Sequence, residues 1–317
     1  MNAENPKVSV IIPVYNGADY LKEAIDSALN QTYKDVEVIV INDGSNDGGA
    51  TDKIATSYGD KIRYFTKLNG GVASALNLGI KKMEGDYFCW LSHDDIFYPE
   101  KTKIQIDFLK TCDENTILYS DFDVADSNLN LLLSAKIKDT APEKFLYKIM
   151  TSSPVHGCTV MISKRCFDEI GLFNEELKTT QDYDMWFKLL KKFKFVHIPQ
   201  PLIKTRHHSG QGTIMLKPLH SRECNNLYIG FLNKTTDEEI SKSSSMPKTM
   251  AYALIAGSLV KRKLYKAGNK FFMRFLKNLS YKDVPIIFKI AVLVLKSLAV
   301  SVKLVLMSVL PGKNRKF

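Results

Sequence analysis

Apolar runs alternate with helix-period segments through the first third of the chain. Residues 8–14, VSVIIPV, are apolar and rich in β-branched side chains, and they break at Pro13 and the Asn16–Gly17 turn, which predicts a buried strand. Similar runs at 36–41, 62–65 and 87–91 predict three more strands. Between the first two, Leu21, Ala24, Ile25, Ala28 and Leu29 recur at helical spacing and predict a helix over 19–30 with one buried face. Further helices are predicted over 49–58 and, after Gly70 and Gly71, over 72–82. Strands apolar along their whole length need cover on both faces, so the pattern predicts an α/β fold with a mainly parallel sheet. In open sheets of this kind ligands bind beyond the carboxyl ends of the strands. Asn16, Asp43, Asp94 and Asp95 all fall at such ends.

The middle of the chain is less regular. The pattern predicts a proline-opened helix over 99–110, a strand over 117–122 and a surface loop over 123–150 with a short helix near 141–149. A strand over 155–163, a helix over 165–170 and an amphipathic helix over 182–190 follow. Short strands at 195–198 and 202–204 then lead to Arg206, His207 and His208.

Near residue 240 the character changes, which sets the expected division into a 1–240 α/β domain and a 241–317 basic helical extension. Residues 246–277 read as one or two basic amphipathic helices. Residues 286–310 are overwhelmingly apolar but carry Lys289, Lys296 and Lys303 at seven-residue intervals. The run is long enough to span a bilayer, yet Lys296 at its centre would cost roughly 2.5 kcal/mol or more. A helix lying in the membrane plane avoids that cost and is the expectation.

Charge sharpens this division. The formal net charge is +10, but from residue 241 onward there are 16 Lys and Arg against the single acid Asp283, while the first 240 residues carry 28 bases and 33 acids. A basic tail on a mildly acidic body calls for an anionic partner, the inner membrane leaflet or a nucleic acid. The apolar 286–310 stretch favours anionic membrane lipid, with no nucleic acid expected. The five cysteines are odd in number and form no CxxC pair, and the N-terminus lacks the basic start and unbroken apolar run of a signal peptide. The expected location is therefore the cytoplasm, peripherally at the inner face of the cell membrane.

Several polar residues are candidates for chemistry. Asp94 and Asp95 follow an apolar strand and must be solvated, paired or metal-bound. Carboxylates so placed can hold Mn²⁺ or Mg²⁺. Asp43 lies in an Asn-Asp-Gly-Ser turn, where a carboxylate can equally satisfy nearby amides. Gly71 opens a helix whose first amides can face a diphosphate. Asp182 stands at a helix start, where a cap alone would explain an acid.

Three segments in order, VSVIIPVYNGADYLKEAIDSALNQTYKDVEVIVINDGSNDG, NGGVASALNLGI and GDYFCWLSHDD, closely resemble the family 2 glycosyltransferases of GT-A fold. The resemblance implies a nucleoside pocket of Pro13, Tyr15 and Asn16, with Asp43 bonding the base. It makes Asp94 a metal ligand, matching the second aspartate of Asp-x-Asp, with Ser92 in place of the first and Asp95 as a sugar-contacting or structural neighbour. Asp182 matches the general base, with Gln181 where glutamate is usual. Arg206 and His208 match a donor-site feature that stabilises the leaving group, His208 at metal or diphosphate. The implied reaction inverts C1 as a sugar moves from a nucleotide donor, UDP being the common one, to a hydroxyl of a glycan or lipid-linked acceptor in surface polysaccharide synthesis.

Other readings compete. A metal-dependent nucleotidyltransferase should carry a basic Gly-rich signature near its start, and IIPVYNGADYL has no basic residue. A dinucleotide oxidoreductase should show GxGxxG after its first strand, and PVYNGADY does not fit. A non-catalytic membrane-associated adaptor explains the tail but leaves Asp43, Asp94 and Asp182 without a task.

Overall fold

The computed structural model describes residues 5–279, so the in-plane helix expected over 286–310 lies outside the described residues. Contacts divide the chain into two units, Met1–Thr235 and Thr236–Phe317.

The first unit opens with β1 (Val8–Val14), α1 (Leu21–Leu29), β2 (Val36–Asn42), α2 (Ala50–Thr56), β3 (Arg63–Thr66), α3 (Val72–Lys82) and β4 (Tyr87–Trp90). These four strands are mutually parallel and lie in the order β3-β2-β1-β4. Every residue of β1 is buried, as its unbroken apolar sequence requires of a strand covered on both faces. Helix α3 packs closely on β1 because Gly79 has no side chain: a Cβ there would come within 2.4 Å of Ile11 Cγ2. The chain winds outward from β1 through β3 and crosses back to β4, so the switch point lies between β1 and β4. Ligand sites in open α/β sheets form at that crevice. It is where Tyr15 and Asn16 leave β1 and where Ser92 to Asp95 follow β4.

A second layer of elements follows: β5 (Ile96–Phe97), α4 (Lys101–Leu109), β6 (Thr116–Ala125), β7 (Leu131–Ala135), α5 (Phe145–Thr151), β8 (Ile162–Ser163), α6 (Lys164–Ile170), α7 (Gln181–Leu189), β9 (Lys194–Arg206), α8 (Gly212–Met215) and α9 (Lys217–Asn233). Strand β8 joins the first sheet antiparallel to β4, and a second sheet has the order β5-β9-β6-β7. Strands β6 and β9 run parallel, giving this mixed sheet its centre.

Several segments depart from the sequence expectations. The strand predicted over 155–163 is mostly a 3-10 turn, Gly157–Thr159, with only β8 extended. Gly157 lies against the Trp90 ring, which a Cβ would approach within 2.3 Å, and His156 Nδ1 accepts from the Cys158 amide at 3.3 Å. The two short strands expected around Pro199 and Pro201 are one strand, β9, whose pairing with β6 shifts register between Ser120 and Asp121, where proline is tolerated. Strand β7 lies inside the predicted loop, and α9 occupies a stretch where no element was predicted.

The second unit contains α10 (Asp237–Ser244), α11 (Lys248–Lys261) and α12 (Tyr265–Lys277). Thr236 and Glu239 form a capping box at the start of α10. Asp237 accepts from Tyr252 at 2.7 Å and pairs with Lys248 at 2.9 Å, fastening α10 to α11. Helix α12 lays Ala267, Phe271 and Phe275 inward, and Gly268 admits the close approach of Val260 from α11. No helix among the described residues is long and apolar enough to cross a membrane.

Candidate active site

At the end of β1, Asn16 adopts a left-handed φ of 49°, which its short polar side chain tolerates. That conformation aims its amide at Asn46 beyond β2: Asn16 Nδ2 donates to Asn46 Oδ1 at 2.7 Å, and the Asn46 amide donates back at 2.8 Å. The paired loops leave the Tyr15 ring 44% exposed while Pro13 is buried in the strand. An open aromatic face beside two fixed loops is a surface on which a flat base can rest.

Asp43 is only 3% exposed. It accepts from Lys67 Nζ at 2.6 Å, from the Gly70 amide at 3.0 Å and from the Gly71 amide at 2.7 Å. The amide of Gly71, expected to face a diphosphate, is thus directed at Asp43 here. Gly71 has φ 91°, a backbone state that favours glycine. Lys178, from the loop before α7, donates to the Gly70 carbonyl at 2.9 Å and ties the start of α3 to that loop.

Beyond β4 the two adjacent acids part company. The Asp94 carboxylate stays partly open and meets His208 Nε2 at 3.0 Å. Asp95 is 3% exposed and turns inward, accepting from the Arg206 amide at 3.0 Å and the Cys158 thiol at 3.4 Å. Burial, helped by the Asp94 charge, pushes the Asp95 carboxyl up to about 7. Ser92 has its amide and hydroxyl within 3.3 Å of Cys158 Sγ, so it too is drawn toward that thiol. His156 lies beside them, its imidazole pushed down to about 4 by burial.

One expectation is corrected here. Arg206 is 2% exposed and has no free guanidinium nitrogen for a diphosphate or sugar. Its Nε donates to the Asp94 carbonyl at 2.8 Å, Nη1 to the Ser127 carbonyl at 2.8 Å, and Nη2 pairs with Glu23 of α1. The guanidinium also lies 4.4 Å over the Tyr20 ring, so Arg206 positions the Asp94 turn. Asp95 has both oxygens engaged inside the protein, by the Arg206 amide and the Cys158 thiol, and so holds the same turn.

The Asp94–His208 pair fits a divalent ion. Two donor atoms 3.0 Å apart match the separation of neighbouring ligands about an ion bound at about 2.1 Å. Among the described residues, Asp95, His156 and Cys158 also bring ligand atoms within 4.8 Å of one another. A thiol suits neither Mn²⁺ nor Mg²⁺, and Cys158 already donates to Asp95, so that trio supports the turn.

Asp182 stands in the first turn of α7, partly open to solvent, with Oδ1 accepting the Tyr183 amide at 2.8 Å. Burial pushes its carboxyl up to about 6. Asp184, two residues along, is paired with Lys188 at 2.6 Å. A row of edge-on rings sets α7 against the end of β4: Trp90 to Phe173 at 6.5 Å, then Phe173 to Trp186 at 6.4 Å. Glu223 of α9, unmarked in the sequence reading, fixes the approach to Asp182. Its carboxylate accepts from the amides of Lys178 and Thr179 at 3.0 and 2.9 Å and from the Thr179 hydroxyl at 2.8 Å. Burial pushes the Glu223 carboxyl up, but these donors outweigh it and hold it below the ordinary range. Pro218 at the helix start, with Tyr228, Phe231 and Leu232 at helical spacing, is the signal that could have revealed α9.

A family model described as glycosyl transferase family 2 matches residues 9–171. The chain belongs to that family. Among its relatives, an uncharacterized glycosyltransferase of Rickettsia conorii is 48% identical over 251 residues, covering 78% of this chain and 41% of the relative. This family 2 chain therefore spans about two fifths of that relative's length. Among solved structures, S. aureus TarS in complex with UDP superposes with a TM-score of 0.59 at 21% identity, covering 88% of this chain and 77% of TarS. The mannosyltransferase PcManGT from Pyrobaculum calidifontis, in complex with GDP-Man and Mn²⁺, gives 0.58 at 15% identity over 92% of this chain and 81% of the other. At these identities the likeness speaks for the GT-A fold of family 2, with its parallel-dominated sheet and helical C-terminal region.

Proposed function

We propose that this chain transfers a sugar from a nucleoside diphosphate to a hydroxyl acceptor with inversion at C1, Asp182 serving as general base. The observation that carries this reading is the contrast between two acids. Asp94 faces His208 at the crevice between β1 and β4, while Asp182, in the first turn of α7 and without a basic partner among the described residues, has its carboxyl pushed up to about 6 by burial. A base poised near neutral pH takes a hydroxyl proton more effectively than an ordinary aspartate.

Tyr15, Pro13 and the Asn16–Asn46 clasp shape the nucleoside pocket. Asp43 accepts from the base, giving up part of its contact with Lys67. Asp94 and His208 would hold Mn²⁺ or Mg²⁺, which when bound neutralises charge on the departing diphosphate. Arg206 and Asp95 keep the Asp94 turn in place, and Ser92 borders the sugar. Asp182, set by Glu223 and the Trp90–Phe173–Trp186 row, draws the proton from the acceptor oxygen as that oxygen attacks C1.

UDP is the favoured nucleotide, in line with the family resemblance and with the UDP complex of TarS. The acceptor is a glycan or lipid-linked saccharide of surface polysaccharide synthesis, approached from the cytoplasmic face of the membrane. Catalysis belongs to the 1–240 domain and membrane attachment to the 241–317 extension.

The test is nucleoside-diphosphate release from a panel of UDP-, GDP- and dTDP-sugars, with a membrane-lipid acceptor extract, in Mn²⁺, Mg²⁺ or EDTA. Metal-dependent, acceptor-stimulated release from one donor is expected, with the product's anomeric configuration opposite to the donor's. No release and no nucleotide-sugar binding would overturn the proposal.

A further inference from the structure

Helix α12 has two apolar faces, and only one is used within its unit. Ala267, Gly268, Phe271 and Phe275 are buried, with Phe271 6.2 Å from the Tyr252 ring of α11. On the other side Tyr265, Phe272, Met273 and Leu276 are 62, 44, 54 and 42% exposed. On a helix advancing about 100° per residue, Phe272, Tyr265 and Leu276 lie within about 40° of one another, and Met273 about 60° further round. Lys266, Lys277 and Lys270 come next, within another arc of about 40°, and all three are exposed. The exposed surface of α12 is thus an apolar stripe bordered along one side by an ammonium stripe.

We infer that this face of α12 is the surface by which the protein lies on an anionic bilayer, Tyr265, Phe272 and Leu276 entering the headgroup boundary while Lys266, Lys270 and Lys277 meet lipid phosphates. The inference rests on the membrane-side placement proposed above and gives it a surface separate from residues 286–310. Charge selects lipid over the other occupants. Residues 241–279 hold nine Lys and Arg and no acid, so a second copy docked face to face would set these lysines against their own kind. The tail that continues from residue 280 brings seven more Lys and Arg and one acid, and would meet the stripe with the same repulsion. An anionic membrane satisfies both stripes at once, since apolar burial and lysine–headgroup attraction act at the same depth.

The test uses the full chain and vesicles of phosphatidylcholine alone or mixed equally with phosphatidylglycerol. Wild type should sediment with the mixed vesicles and not with the neutral ones. Lys266→Glu with Lys270→Glu should weaken binding about 25-fold or more, at about fivefold for each lysine near a charged surface. Phe272→Ser with Leu276→Ser should weaken it at least tenfold while the melting curve stays as in wild type, because both side chains are exposed. In Tyr265→Trp, the emission gained over wild type should shift to the blue on the mixed vesicles and be quenched by brominated acyl chains. Binding unchanged in both double variants, or no quenching of the emission that Tyr265→Trp adds, would overturn the inference. So would a wild-type dimer that the stripe variants convert to monomer, which would make a second copy the occupant. Nucleoside-diphosphate release, measured on the same variants without vesicles, reads the catalytic proposal separately: α12 variants should keep it.

Discussion

Replacing Asp182 with asparagine should remove catalysis and stabilise the fold together, and the two effects share one cause. Burial raises this carboxyl from 3.8 to about 6, so the folded protein holds an ionised group that it disfavours. Two pH units at about 1.4 kcal/mol each give nearly 3 kcal/mol. Because Asp182 keeps part of its surface in water, about 1–2 kcal/mol is the expected gain from Asp182→Asn at neutral pH. For a domain of this size that is an increase in Tm of about 2–8 °C. The pH dependence follows from the direction of the shift. Below about pH 4 both folded and unfolded chains hold this proton, and the two proteins are equally stable on this account. Between about pH 4 and 6 the unfolded chain releases it first, so the variant's advantage opens. Above about pH 6 both states are ionised and the advantage stays constant. Melting curves of both proteins from about pH 5 to 8 read this directly. In parallel, wild-type turnover should fall tenfold per pH unit below about 6, and the variant should lose about 10²–10⁴ in rate while still binding donor. A variant no more stable than wild type at neutral pH, or an advantage that does not grow from pH 5 upward, would refute the reasoning about burial. Near-normal turnover would remove Asp182 from the base role.

Arg206→Met should destabilise the first unit by about 1–3 kcal/mol in urea unfolding, because it leaves the Asp94 and Ser127 carbonyls without their shared donor, while half-exposed Glu23 stays solvated. Gly79→Ala should cost about 1–3 kcal/mol through overpacking against Ile11, whereas Gly257→Ala in α11, where a Cβ meets nothing within 4 Å, should gain about 0.5–1 kcal/mol; thermal melts compare them. Glu223→Gln should cost about 1–3 kcal/mol and lower kcat by loosening the approach to Asp182. Since the Glu223 carboxyl is held low, its contribution is present above the unfolded value and lost as pH falls through the folded one, so the gap between wild type and variant should close in acid.

The parallel half of the fold was legible because its strands are apolar from end to end and its helices keep a clean period, as the match of α3 to the predicted 72–82 helix illustrates. Legibility failed where a distant side chain decides the backbone. Residues 155–163 have a strand's composition, but Gly157 must turn beneath Trp90, a contact no local pattern carries. The first half of α9 is polar along its length, so the helix, and Glu223 with it, was hidden. Within the candidate site the positions of the acids were readable from the strand ends, whereas their division of labour was not. Asp94 and Asp95 are neighbours in sequence with different partners: Asp94 meets His208 and keeps 13% of its side chain open, whereas Asp95 is 3% exposed and held by the Arg206 amide and Cys158. Arg206 shows the same gap: a basic residue beside a phosphate site invites a ligand role, while its actual partners come from residues 79 to 183 positions away.

The hold of Asp43 on the first amides of α3 also bears on how the site empties. On the proposed reading, that carboxylate stands where the helix would attract an anion, so a diphosphate reaching those amides would enter by exchange with it. The same exchange runs backward after transfer. As a spent nucleotide loosened, Asp43 and Lys67 would close on each other again over 2.6 Å, and an internal competitor of this kind would hasten departure. A weak grip on product would thereby be built into the turn proposed to recognise the donor.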